Sequence, residues 1–133
     1  MSPALEAVVE ANILMSGVGW ENCGLTIPHA FHGALTGISK FDKAMHGERV
    51  ALGVLIQLHY DGLTDEYERL RGFFQRVGLP VSFKDISDAG PVTQEELATI
   101  GQFISRPGSY AHNLPGGLYS GKLMDALRHF AAL

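Results

Sequence analysis

From position 28 the chain reads Pro28-His29-Ala30-Phe31-His32-Gly33, crosses a weakly patterned bridge to Met45, and resumes as His46-Gly47-Glu48-Arg49-Val50-Ala51-Leu52-Gly53-Val54-Leu55-Ile56-Gln57-Leu58-His59-Tyr60. The second half of this stretch decides the fold. Glu48 stands in what reads as a first helical turn, where a carboxylate suits the helix dipole. Val50, Leu52, Val54, Leu55, Ile56 and Leu58 then cover most of the circumference of a helix spanning about 47 to 60. A helix that is apolar nearly all round is buried on several sides, which here requires other helices around it.

Those helices are legible on both sides. Upstream, Ser2 and Pro3 make a start signal, a hydroxyl cap followed by a residue whose missing N–H costs nothing. Apolar residues recur from Leu5 to Ile13, and Gly17 and Gly19 read as the stop. A second helix is expected from about Leu25 to Leu35, with Pro28 tolerable in its first turn. Downstream, Thr64 with Asp65 and Glu66 opens a fourth helix that ends at Gly78. Thr93 and Glu96 form a capping box for a fifth, running to about Phe103. Ser120 caps a last helix with an apolar face of Leu123, Met124, Leu127 and Phe130. Residues 81–90 and 106–117 read as irregular, the latter rich in proline and glycine. The expectation is an all-α single domain of five to six helices over residues 1–133.

Composition narrows the partners. Ten Lys and Arg against fourteen Asp and Glu give a net charge of −4 with no basic run, which argues against nucleic acid and anionic membrane. The longest apolar stretches are about half of the ~20 residues a membrane span needs. Cys23 is the single cysteine, so no intrachain disulfide forms and a reducing, cytoplasmic setting is expected. It reads as a small buried hydrophobe. An apolar content of 46% suits a helix-rich core, or a surface meant for another domain or subunit.

Three of the six histidines lie between positions 29 and 46. His29 and His32 share one face of the second helix, and His46 opens the third. On spacing alone, hydrogen-bonded surface histidines are a better explanation than a metal site, because a His-x-x-His pair is a weak signal and a catalytic zinc takes three protein ligands. His112 reads as a loop-ordering residue, and His59 and His129 as ordinary surface residues.

The wording of the chain adds to its spacing. Ala11-Asn12-Ile13-Leu14-Met15-Ser16-Gly17-Val18-Gly19-Trp20-Glu21, Gly24-Leu25, His29-Ala30-Phe31-His32-Gly33-Ala34-Leu35-Thr36 and His46 through Gly53 resemble the C-terminal helical domain of glycerol dehydrogenases. Val77-Gly78-Leu79-Pro80 and His112-Asn113-Leu114-Pro115 follow in the same order. These enzymes are metal-dependent, iron- or zinc-containing alcohol dehydrogenases, related in fold to dehydroquinate synthase. The His-Gly-Glu element is shared with dehydroquinate synthase, but the Gly-His-Thr-x-x-His context of that enzyme is missing between Gly24 and Gly33.

The resemblance implies that His29 and His46 are ligands of a zinc ion, with iron as the alternative metal. The third ligand of the family, an aspartate on an earlier helix, has no match here; Asp42 is the only nearby aspartate. His32 would face the same cleft, either as a supporting or proton-relay group or as a hydrogen-bonded residue of the cleft wall. The family's NAD-binding domain, with its glycine-rich loop, and the first helices of the helical domain have no counterpart either.

The implied function is the metal-binding part of an NAD-dependent dehydrogenase that oxidises glycerol or a similar small polyol. It would work with a nucleotide domain in cis or in trans, would be oligomeric, and would be inactive alone. The alternative is a stand-alone, non-catalytic helical module descended from such an enzyme. Part of the third helix is expected to be left uncovered. Pro28 departs from the family, which usually carries a small helix former there.

Overall fold

The structure, a computed structural model, describes residues 2–133, and among these every regular element is helical. Six α-helices follow one another: α1 (Pro3–Cys23), α2 (Ile27–Leu35), α3 (His46–Asp61), α4 (Thr64–Val77), α5 (Gln94–Ser105) and α6 (Ser120–Ala132). Short 3-10 turns at Ser39–Phe41, Phe83–Asp85 and Tyr110–Asn113 punctuate the connections. The all-α, single-domain, six-helix expectation is met.

α3 is the centre of the body, packed against α2, α4 and α6. Leu52, Leu55 and Ile56 are fully buried, and they meet Phe31 and Leu35 of α2, Leu97, Ile100 and Ile104 of α5, and Leu123, Leu127 and Phe130 of α6 in one core. α2 buries Ile27, Ala30, Phe31, Ala34 and Leu35. This spacing puts one stripe into the core and leaves His29 and His32 on its margin.

α2 and α3 approach each other backbone to backbone. A Cβ added at Gly53 would lie 2.7 Å from the Pro28 Cα and 3.0 Å from the Pro28 carbonyl oxygen. Thr26 donates a hydrogen bond to Gln57 Oε1 at 2.7 Å just beyond that crossing. Gly53 is therefore required by backbone proximity, and Pro28, in the first turn of α2 as expected, is the surface against which α3 rests.

Two expectations are corrected. α1 does not stop at Gly17; it runs through Gly17 and Gly19 to Cys23 and is closed by Gly24, at φ 66 and ψ −166, a conformation open to glycine. Two helical glycines cost about 1 kcal/mol each relative to alanine but do not forbid the helix, and no proline intervenes before Pro28. The uncovered apolar surface also lies elsewhere than expected. α3 is enclosed, whereas α1 buries none of its residues. Leu5, Val8, Val9, Ile13, Leu14, Met15, Val18 and Trp20 are all exposed, Met15 by 74%. Cys23 is exposed as well, because it belongs to this projecting helix and not to the core.

At the far end of α3, His59 stacks on His129 of α6, with centroids 4.2 Å apart and planes at 10°, and Tyr67 of α4 meets both edge-on. Both histidines are at the surface, as expected, yet they join three helices.

Gly53→Ala should lower stability by about 1–3 kcal/mol, the cost of forcing a well-packed contact apart, read by chemical denaturation. Acid should also destabilise the protein from the His59 end. Burial, and then the neighbouring His129, hold the His59 pKa below its ordinary 6.5. The folded chain therefore takes up a proton there less readily than the unfolded chain. The stability contributed is full above about pH 6.5 and drains as the pH falls below it. His59→Gln should make the loss of Tm between pH 7.5 and pH 5.5 smaller. An unchanged loss would show that the stack does not couple to folding.

Candidate metal centre

Three imidazoles from two elements converge where α2 meets the start of α3. His29 and His32 lie about a turn apart on α2, and His46 is the first residue of α3. The His46 ring is 5.7 Å from that of His29 and 4.3 Å from that of His32, centroid to centroid. His46 Nδ1 and His32 Nε2 stand 3.2 Å apart, a hydrogen bond. The two ends of the sequence stretch singled out above are thus one cluster, and His32 touches His46 directly.

The surroundings favour the neutral form of the two α2 rings. Burial, then the nearby His46, lowers the pKa of His29; burial, then His46, Arg49 and His29, lowers that of His32. A neutral imidazole is the form that donates a lone pair to a metal.

Only one proton can lie between His46 Nδ1 and His32 Nε2, and its position decides what His46 can do. If His32 donates, His46 carries its own proton on Nε2 and has no lone pair to offer outward. If His46 donates from Nδ1, its Nε2 is free and His32 carries a proton on Nδ1. The buried His32 Nδ1 has no hydrogen-bond partner among the described residues. The second arrangement is the one compatible with metal ligation by His46, and it makes His32 the group that orients the ligand.

Whether the donors suit a metal ion follows from this inventory. His29 and His46 supply two imidazoles, the right chemistry for zinc or iron. No group of three or more His, Cys, Asp or Glu side chains among the described residues is placed to hold an ion. Asp42 lies in the segment before α3, where its carbonyl accepts a hydrogen bond from Arg49. By donor chemistry His29 and His46 are an incomplete set, two imidazoles with no third group placed beside them among the described residues.

The other histidines are elsewhere. His112 Nε2 lies 3.2–3.3 Å from the carbonyls of Arg106 and Ser105, in keeping with its expected loop-ordering role. Beside it, Asn113 donates to the Leu25 carbonyl at 2.8 Å and ties the loop to the start of α2. Sequence reasoning passed over Arg49. It is buried, and its Nη2 donates to the carbonyls of Phe41 and Asp42. An arginine on an otherwise apolar helix was the available signal.

No protein-family model matches the chain. It is 35% identical over 130 residues to the glycerol dehydrogenase of Pseudomonas putida, a match that takes in 96% of this chain and 35% of that protein. Its fold superimposes on a probable glycerol dehydrogenase from Sinorhizobium meliloti 1021 with a TM-score of 0.87 and 32% identity, covering 99% of this chain and 37% of that one. The glycerol dehydrogenase of Schizosaccharomyces pombe gives a TM-score of 0.86 and 34% identity, with 99% and 34% covered. The chain spans about a third of the length of the curated relatives it matches.

Adding zinc should shift the 15N resonances of His46 Nε2 and of His29, while His46 Nδ1 stays protonated against His32. Zinc bound through His46 Nδ1, with the proton moved to Nε2, would overturn the assignment of the free lone pair.

Proposed function

We propose that this chain, which corresponds in sequence and fold to the C-terminal helical part of a glycerol dehydrogenase, supplies two metal ligands to an NAD-linked enzyme that oxidises glycerol or a similar small polyol. The observation that supports the reading is the meeting of His29, His32 and His46 on one margin of the bundle. Fold similarity alone would not carry it.

In this reading His29 and His46 hold a zinc ion, or iron in its place, through neutral imidazoles. The ion supplies Lewis acidity, lowering the pKa of a coordinated alcohol, and NAD accepts the hydride. His32 Nε2 accepts a hydrogen bond from His46 Nδ1–H and holds the ring with its Nε2 outward. The apolar stripe of α2, anchored by Phe31 and Leu35, gives His29 and His32 a rigid base. Gly53 and Pro28 set how far α3, and with it His46, stands from α2.

A third ligand and the nucleotide site are assigned to a further portion of the enzyme, in cis or in trans. α1 supports that arrangement. Its apolar residues point to all sides and are exposed, and a helix of this kind is stable only when neighbours enclose it. The same surface favours a second reading, a non-catalytic module that self-associates through α1. Glu6, Glu10 and Glu21 are its only charged residues. They share one face of the helix, and the opposite face, with Leu5, Val8 and Met15, is largely apolar.

The chain by itself should hold zinc weakly and should not turn over glycerol with NAD. Adding the remaining two-thirds of a glycerol dehydrogenase in trans should restore metal retention and activity, and His46→Ala should abolish both. Tight one-to-one zinc binding by the lone chain would sink the need for an outside ligand. A stable oligomer that gains nothing from the added portion would favour the second reading.

A further inference from the structure

The segment between α2 and α3 rests on the core through Phe41, Ile38 and Ala44, and polar links join its ends to the body where it delivers His46 opposite His32. It is secured at both ends. At its start, Lys40 Nζ donates to the Pro91 carbonyl at 3.0 Å and to Glu96 at 2.8 Å, and the Lys40 carbonyl accepts from Asp88 N–H. Phe41, fully buried, drops into the core. At its end, two side chains of α3 reach back over it. Glu48 accepts a hydrogen bond from Met45 N–H at 2.7 Å. Arg49, 8% exposed, donates from Nη2 to Phe41 O at 2.6 Å and to Asp42 O at 3.1 Å.

We propose that Arg49 is a positioning residue for His46. Its guanidinium binds the two carbonyls where the segment leaves the core, and its backbone lies one turn along α3 from His46. The donor pair therefore ties the entry of the chain to the helix that carries the ring. A carbonyl pair buried beneath a helix needs donors, and charged donors make the stronger hydrogen bonds. Both oxygens accept from the one Nη2, so the guanidinium draws the two carbonyls together on a single nitrogen at the end of a stiff, planar group. Without Arg49 the 41–45 crossing loses its anchor, and His46 shifts relative to His32 and His29. Gly47, directly after His46, adds no side-chain contact that could hold the ring instead. Glu48 acts in the same direction by fixing Met45, the residue before His46.

This role rests on the metal-binding reading for its consequence, but its geometric content can be tested without metal. The experiment compares the wild-type chain with Arg49→Met, Arg49→Lys and, as a control, Arg71→Met, a partly buried arginine on α4 remote from the cluster. In the zinc-free proteins, NMR reads the His46–His32 ring contact and the proton on His46 Nδ1. Zinc is then titrated against a competing chelator at a temperature where every variant is folded.

Arg49→Met should lose the ring contact and weaken zinc binding about 10- to 100-fold, the usual cost of losing a group that orients a ligand. Arg49→Lys should restore part of both. Arg71→Met should lower Tm while leaving ring contact and zinc affinity as in the wild type. An Arg49→Met protein that is less stable but keeps the His46–His32 contact overturns the proposal, because the arginine is then only a structural clamp. If the wild type shows no zinc response at His29 and His46 even with the remaining portion of the enzyme added, the metal-binding reading fails, and the zinc-free comparison still decides whether Arg49 places the ring.

Discussion

The close approach of Gly53 to Pro28 is the constraint on which the rest depends. A helix crossing in which a Cβ would lie 2.7 Å from a backbone atom tolerates no side chain on α3 and little adjustment on α2. That contact sets the spacing of the two helices, and their facing surfaces then fill with Phe31, Leu52 and Leu55. His29 follows Pro28 directly, and His46 lies about two turns before Gly53. The distance between two candidate ligands is thus set by a packing contact that involves neither of them. Interiors are close-packed, and a shift of one ångström at such a point is transmitted to its neighbours.

The three histidines differ in what holds them. His29 and His32 ride on a helix whose core stripe is fully engaged, so their backbone is as rigid as the core. His46 enters at a helix end, where backbone is ordinarily loose, and it depends on Lys40, Glu48 and Arg49 to secure the segment before it. Burial of His29 and His32 serves the same end, since it disfavours the charged imidazole and leaves a lone pair available.

α1 stands apart from this economy. It is well formed and capped, with Ser2 accepting from Leu5 N–H and Gly24 closing its end. Its touch on the body includes the edge contact of Trp20 with Tyr110. Its apolar residues are exposed on every side, a surface of the kind a buried helix carries. Within this chain, α3 has the same all-round apolar character and is enclosed, and only the tertiary structure separates the two cases.

Much was legible beforehand because it is local. The capping box of Thr93 and Glu96, the proline in the first turn of α2, and the stop at Gly78 are written in short-range chemistry, and α3 to α6 fall within a residue or two of where periodicity put them. The class, all-α in one domain, followed from the periods alone, and the pairing of His29 with His46 came from wording that resembles a known family. The end of α1 was missed because glycine taxes a helix without breaking it. The uncovered face was assigned to α3 because apolarity all round shows that a helix needs neighbours and not which neighbours are present. Two further features depended on the folded chain. The His32 to His46 hydrogen bond and the clamp of Arg49 on Phe41 and Asp42 join residues seven to fourteen positions apart. Their meeting is decided by how α2 and α3 cross, which no local pattern encodes.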